Sequence, residues 1–225
     1  MQNKSHAVMA QRSESMDSPD DFPTPPWATR ALIEHVLDDK NALALLSCLE
    51  PACGAGHMSK VLEEYFGEVT CADAYDYGYG DIQEFLTFPH KENTFDWVIT
   101  NPPFRLAEQF VSRAIHIARR GVAVLARTVF LESVGRYESI YKRFPPSKFA
   151  QFVERVPMIK GRLDKKATTA TGYAWFVWET GAINVPRLMW IPPCRKLLER
   201  SRDYESPKRQ RMVGSNPAPQ EALLL

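Results

Sequence analysis

Apolar runs of strand length alternate with amphipathic segments along most of the chain. β-type runs predict strands at about 45–50, 68–73, 95–100 and 121–127. Helical spacing of apolar residues predicts helices at about 27–37, 57–66, 104–119 and 132–143, with a short helix or turn around 80–88. These spacings are too wide for hairpins, so the pattern favours an α/β protein with a mostly parallel sheet covered by helices on both faces.

The last third of the chain has a different pattern. Two β-type runs, at 149–156 and 173–180, have no helix between them and predict an antiparallel strand pair. We expect three regions: a disordered segment at 1–20, one folded domain at 21–192, and a charged, loosely ordered tail at 193–225.

The amino-acid composition indicates which class of protein this is. Apolar residues make up 44% of the 225 residues and charged residues 24%, which is ordinary for a soluble globular protein. The formal net charge of +1 means that any nucleic-acid surface must be local. No apolar stretch approaches the ~18 residues of a membrane span, so we expect a cytoplasmic protein without membrane contact. The four cysteines form no Cys-x-x-Cys pair, which predicts buried free thiols and no metal site.

A glycine-rich turn follows the first predicted strand. In Glu50-Pro51-Ala52-Cys53-Gly54-Ala55-Gly56 the glycines allow a sharp turn and a close approach of the backbone to a ligand, although a purely structural turn explains them equally well. The next strand ends about twenty residues on in Asp73, where a carboxylate can accept both hydroxyls of a ribose. Asp81 could accept from an adenine amine while Ile82 covers the ring. The alternative is that Asp81 caps a turn.

The most informative motif is Asn101-Pro102-Pro103-Phe104, directly behind a β-type run. The prolines end the strand and leave carbonyl acceptors, to which the Asn101 side-chain oxygen adds another. An aromatic amine that donates to these acceptors becomes a better nucleophile, and Phe104 can stack on its ring. The alternative is a strand-ending turn in which Phe104 anchors the core. No general base is expected.

Basic residues concentrate in one predicted loop. Between Arg155 and Lys166 the chain has five basic residues and one acid, Asp164, which gives a local charge of +4. Lys160, Arg162, Lys165 and Lys166 are therefore candidate phosphate ligands, and Arg136 belongs to a second candidate cluster. The alternative is an ordinary solvated loop.

The motifs Thr24-Pro25-Pro26, then Glu50 to Gly56, then Asn101 to Phe104 occur in an order that resembles the S-adenosylmethionine-dependent adenine-N6 DNA methyltransferases of the γ motif arrangement. The segment from Arg127 to Ser133 resembles small phage-type members. The resemblance implies a Rossmann-like class I methyltransferase fold with a seven-stranded sheet.

The resemblance also implies residue roles. Thr24 and Glu50 hold the methionine end of the cofactor, Asp73 holds the ribose and Asp81 the adenine amine. The target base would be bound by Asn101, Pro102, Pro103 and Phe104. The cofactor would further be lined by Pro51, Ala52, Gly54, Gly56 and Ile82.

The implied activity is methyl transfer from S-adenosyl-L-methionine to adenine N6 in DNA. Adenine in RNA and a protein glutamine amide are alternative substrates, and an inactive cofactor-binding or nucleic-acid-binding module is a third hypothesis. Only 45 residues follow Thr180, so we expect short or relaxed sequence recognition unless a homodimer partner or a separate recognition subunit supplies it.

Overall fold

The β-type runs form the strands of one mixed sheet. The computed structural model describes residues 20–182 and 185–205, and its sheet has the strand order β3-β2-β1-β4-β5-β7-β6-β8. The strands are β1 (Ser47–Glu50), β2 (Glu68–Asp73), β3 (Asp81–Ile82), β4 (Phe95–Thr100), β5 (Ala118–Arg127), β6 (Lys148–Phe152), β7 (Tyr173–Glu179) and β8 (Arg187–Ile191). β1 to β5 pair in parallel, and β7 runs antiparallel to both β5 and β6. The predicted parallel sheet and antiparallel pair are confirmed.

The sheet has eight strands rather than the expected seven. β8 adds to the edge in parallel with β6, from Lys148 opposite Arg187 to Phe152 opposite Ile191. Its last four residues, Leu188 to Ile191, are an apolar run of minimal strand length, a signal that the predicted strands above omit. Leu188 and Trp190 are nevertheless 58% and 64% exposed, as expected of an edge strand.

Successive residues of the central strands pack into two separate hydrophobic cores. In β4, Trp97 and Ile99 belong to one core while Val98 belongs to the other. Because side chains alternate across a strand, this arrangement buries both faces of the sheet.

The helices that cover the two faces are α1 (Pro26–His35), α2 (Ser59–Leu62), α3 (Ala107–Ile117), α4 (Val134–Arg136) and α5 (Arg195–Leu198). Residues of α1 and α2 pack into the first core, and residues of α3 pack into the second. None of these described helices is long and apolar enough to cross a membrane.

Two helices are shorter than predicted. α2 is confined to Ser59–Leu62 because turns flank it, and Gly67 beyond it lies so close to the Ala44 carbonyl that a Cβ would be 2.4 Å from that oxygen. α4 begins at a Ser133 cap and passes at once into a single π-helical turn, Tyr137–Tyr141. The predicted 132–143 helix is therefore a short, irregular segment.

The segment after β8 packs back onto α1. The Arg30 guanidinium is 2% exposed and donates to both carboxylate oxygens of Asp203, at 2.8 and 2.9 Å, and to both of Glu64, at 3.0 and 2.9 Å. Residues 193–205 of the predicted tail thus contact the domain. Residues 206–225, and all of the predicted disordered segment except Asp20, lie outside the described residues.

Candidate active site

A cavity lies at the carboxyl ends of β1, β2 and β4, where the three sequence motifs meet. The ends of neighbouring parallel strands share one edge of a sheet, which is where α/β folds bind ligands. The predicted site residues that line the cavity are Thr24, Glu50, Ala52, Gly54, Asp73, Asn101 and Pro103. Seven residues from positions 24 to 103 therefore converge on one cavity.

Glu50, at the end of β1, is a buried carboxyl group in this cavity. It is 2% exposed and accepts a hydrogen bond from the Ser59 hydroxyl. Burial raises the pKa of Glu50 to about 8, the Ser59 hydrogen bond opposes this, and the nearby Asp73 adds to it. A cation placed beside Glu50 would stabilise its ionised form.

The loop after Glu50 supplies backbone to the cavity wall. Gly54 has a φ of +50° and donates its N–H to Asp73 Oδ2 at 2.9 Å. Gly56 also has a positive φ, +79°, but the Tyr79 ring lies 2.5 Å from where its Cβ would be. Gly54 thus lines the cavity, whereas Gly56 makes room for Tyr79 and is not part of the lining.

Asp73, at the end of β2, is oriented by backbone hydrogen bonds. Its Oδ1 accepts from the Tyr75 N–H at 3.0 Å and its Oδ2 from Gly54. Burial raises the pKa of Asp73, while these hydrogen bonds lower it. Each oxygen retains a second lone pair, so the carboxylate can still accept from a diol.

The acidic character of the cavity is greater than the sequence indicated. Asp20, Asp21 and Glu84 also line it, and burial together with Asp73 raises the pKa of Asp21 while Lys160 lowers it. Asp20 and Asp21 lie at the boundary of the predicted disordered segment, so no sequence signal assigned them to a site.

Besides Gly56, three of the predicted cofactor residues lie outside the cavity wall. Pro51 is buried beneath the loop. Asp81 and Ile82 form β3 beside β2, where Ile82 is 68% exposed. The connection between β2 and β3 places Tyr75 and Tyr77 on the cavity instead. No local pattern distinguishes these tyrosines from Ile82, since only the path of the connection decides which side chains face inward.

Asn101 follows β4 with its amide fixed in one orientation. Its Nδ2 donates to the Phe22 carbonyl oxygen at 2.8 Å and lies 3.6 Å from Met158 Sδ. A carbonyl can only accept, so this contact assigns Nδ2 and Oδ1. Oδ1 is buried and has no hydrogen-bond partner within residues 20–182 and 185–205. It is a free acceptor at the edge of the cavity.

Thr24 presents a second buried polar atom of this kind. Its Oγ1, just ahead of α1, is without a partner in the part of the chain that the structure describes. Thr24 is 4% exposed and lines the same cavity. A buried hydroxyl without a partner costs free energy unless a ligand or water satisfies it.

Phe104 lies beside the cavity rather than in its lining. Its ring centroid is 5.0 Å from that of Phe22 and 4.1 Å from the Arg127 guanidinium. Its backbone N–H donates to Asp20 Oδ2 at 2.6 Å. Pro102 is buried next to it. Phe104 is half-buried, so part of its ring can be reached by a substrate if a neighbour moves.

The basic loop joins the site directly. The Gly161 N–H donates to the Asp21 carbonyl oxygen at 2.9 Å, and Met158 contacts Asn101. Arg162 pairs with Asp164 at 3.6 Å, and Lys165 with Glu199 at 3.8 Å.

The remaining predicted phosphate ligands differ in exposure. Lys160 is half-buried near Asp21, whereas Lys166 is exposed. Arg136 stacks on Phe130 at 4.8 Å and donates to the Glu132 carbonyl oxygen at 2.8 Å, on the separate α4 segment.

The sheet, the covering helices and the position of the cavity define a Rossmann-like class I methyltransferase fold, as the sequence predicted. No protein-family model and no curated protein matches the chain.

Solved structures do match. A type I restriction-modification system methyltransferase subunit from Streptococcus thermophilus has a TM-score of 0.58 at 10% identity, over 76% of this chain and 47% of that one. A proposed modification subunit of a type I restriction enzyme from Vibrio vulnificus has a TM-score of 0.54 at 16% identity, over 75% and 46%. A proposed RNA methyltransferase from Pyrococcus horikoshii has 0.51 at 17% identity, over 76% and 93%. The chain spans about half the length of the two restriction-modification subunits.

Proposed function

We propose that this protein transfers a methyl group from S-adenosyl-L-methionine to the N6 amine of adenine in DNA. The observation that carries the proposal is the buried, unpartnered Oδ1 of Asn101, at the edge of the cavity that Glu50 and Asp73 line. An acceptor fixed in this position suits an amine that must be held while it reacts.

The cavity fits the proposed cofactor in charge and in hydrogen bonding. Its acidic lining favours a ligand that carries an ammonium and a sulfonium, and Glu50 is placed to hold the ammonium. Asp73 would accept the ribose hydroxyls, Thr24 Oγ1 would gain a partner at the methionine end, and Tyr75 and Tyr77 offer aromatic surface to the adenine. When bound, the cofactor supplies a methyl group already activated by its sulfonium.

The protein's own contribution to the reaction would be alignment. Asn101 Oδ1 and the Pro102 carbonyl oxygen would accept the two N–H groups of the target amine, and this draws the nitrogen lone pair out of the ring system. Holding amine and methyl in line lowers the barrier without a dedicated base, since the proton can leave to water after transfer.

The DNA assignment rests on the basic loop beside the site. Adenine inside a duplex cannot reach the cavity, so the base must be extruded at a cost of a few kcal/mol. Phosphate contacts from Lys160, Arg162, Lys165 and Lys166 would help to offset that cost. We propose that sequence recognition is short, or that a second copy of the chain or a separate recognition subunit adds to it.

The test uses the purified protein, methyl-labelled S-adenosyl-L-methionine and separate pools of DNA, RNA and protein. We expect the label in N6-methyladenine after nuclease digestion of the DNA pool. Label in the RNA pool, or in glutamine from the protein pool, would identify that molecule as the substrate in place of DNA. Cofactor binding without label in any pool would favour the inactive module.

Asn101→Ala should abolish methyl transfer and leave cofactor affinity near that of the wild type, because Asn101 faces the amine and not the ribose. Calorimetry and turnover measure the two effects separately, and the exposed Asn41→Ala is the control. Loss of one preorganised hydrogen-bonding group costs on the order of 100-fold or more in rate. Retention of more than about a tenth of wild-type turnover would therefore contradict the role of Asn101.

A further inference from the structure

Arg127 occupies the space over the ring on which a target base would stack. It ends β5, and its guanidinium carbon lies 4.1 Å from the Phe104 ring centroid. That is close to the separation of two stacked planar groups. A base can use this face of Phe104 only after the guanidinium has moved.

The contacts of Arg127 are of a kind that a base can displace. The side chain is exposed, and an exposed cation–π contact contributes only a small free energy. Arg127 also interacts electrostatically with Tyr173, which is opposite it in the β5–β7 register. Two other rings neighbour that of Phe104: Tyr173 is buried, and Phe22 is half-buried and accepts from Asn101 through its carbonyl oxygen. Of these neighbours, Arg127 is therefore the one that a base can displace most easily.

We infer that Arg127 closes over the extruded adenine and completes a stack of Phe104, base and guanidinium. The inference rests on the proposed function and adds to it a substrate-positioning residue. The gap of 4.1 Å would have to widen to about 7 Å, two stacking separations of about 3.5 Å each. An arginine on a strand end at the surface can do this by rotation of its side chain alone. A lysine keeps the charge but has no planar group to stack.

The test is binding of fluorescein-labelled single strands of about 12 nucleotides, within the usual range of single-strand sites, by fluorescence anisotropy without cofactor. One probe is oligo(dA) and the other is an abasic strand of the same length. We expect the wild type to bind oligo(dA) about tenfold more tightly than the abasic strand. Arg127→Lys should remove most of that difference and leave abasic affinity unchanged. Arg119→Lys, at the other end of β5, should change neither affinity.

Two results would overturn the inference. If Arg127→Lys weakens both probes equally, or neither, then Arg127 does not contact the base. If Phe22→Ala strengthens oligo(dA) binding while Arg127→Lys has no effect, the base displaces Phe22 instead. These measurements require no turnover, so their outcome is independent of whether the nucleoside digest finds N6-methyladenine.

Discussion

At the scale of single residues, the cavity contains buried hydrogen-bond acceptors and carboxyl groups whose pKa is raised by burial. Glu50 is the clearest case, because burial holds its pKa at about 8 while the ordinary value is 4.5. Between pH 4.5 and 8 the folded protein therefore keeps a proton on Glu50 that the unfolded chain has already released. Stability must fall as the pH rises through this window, and the loss is complete above pH 8. The cofactor's ammonium would reverse this loss by pairing with the carboxylate.

Glu50→Gln should remove this pH dependence, because glutamine has nearly the same shape and carries no charge. Urea unfolding of the cofactor-free variant should match the wild type near pH 5 and show higher stability near pH 9, by several kcal/mol at most, since one pKa unit corresponds to about 1.4 kcal/mol. The variant should also lose cofactor affinity in calorimetry. Glu68→Gln, exposed at the start of β2, is the matched control. Equal stability of wild type and variant at both pH values would contradict a buried, protonated Glu50.

The sequence identified the chemistry of these residues but not their surroundings. Glu50, Asp73 and Asn101 end β-type runs, and strand ends of a parallel sheet must meet at one edge, so their convergence could be predicted. The position of Asp81 and Ile82 outside the cavity could not be predicted. The path of the seven-residue connection between β2 and β3 decides whether Tyr75 or Ile82 faces the cavity, and no local pattern encodes that path.

At the scale of elements, buried ion pairs join the segment after β8 to the helices near the cavity. Arg30 on α1 lies between Glu64 and Asp203, and the latter is 9% exposed. Such contacts are invisible in the sequence because they join positions 173 residues apart. β8 was missed although Leu188 to Ile191 are an apolar run, because four apolar residues directly ahead of two prolines are also compatible with a loop. The central strands were predictable from their continuous apolar runs, and α3 from the helical spacing of its buried residues.

Asp203→Ala should destabilise the protein strongly, because it removes one partner of a buried cation. Breaking a buried pair in this way typically costs about 3–5 kcal/mol. Urea unfolding at neutral pH measures the effect, with the exposed neighbour Glu205→Ala as the control. Because hydrophobic replacement of both partners removes the uncompensated charge, Arg30→Met combined with Asp203→Leu should recover part of the loss. Equal effects of Asp203→Ala and Glu205→Ala would show that the contact does not stabilise the fold.

At the scale of the whole molecule, charge is distributed unevenly although the chain is nearly neutral. Acidic side chains line the cavity, while the loop that carries Lys160, Arg162, Lys165 and Lys166 lies next to it, at the carboxyl edge of the sheet. An acidic surface that would suit a cationic ligand thus lies beside a basic surface that would suit a polyanionic one. Arg162 and Lys165 pair with acids at 3.6 and 3.8 Å, and neither pair is buried, so phosphates can compete for these two side chains.

Neutralising all four basic residues of this loop to glutamine should weaken DNA binding by similar factors on unrelated sequences and flatten its salt dependence. Each phosphate contact that is lost removes about 0.9 from the slope of log affinity against log salt on duplex DNA. The control neutralises four exposed basic residues near the amino ends of the strands: Lys91, Arg119, Arg120 and Arg187. Titrations at several salt concentrations should show a shallower slope for the loop variant only. A loss confined to one sequence would indicate base readout by the loop, and equal slopes for the two variants would place the DNA elsewhere on the molecule.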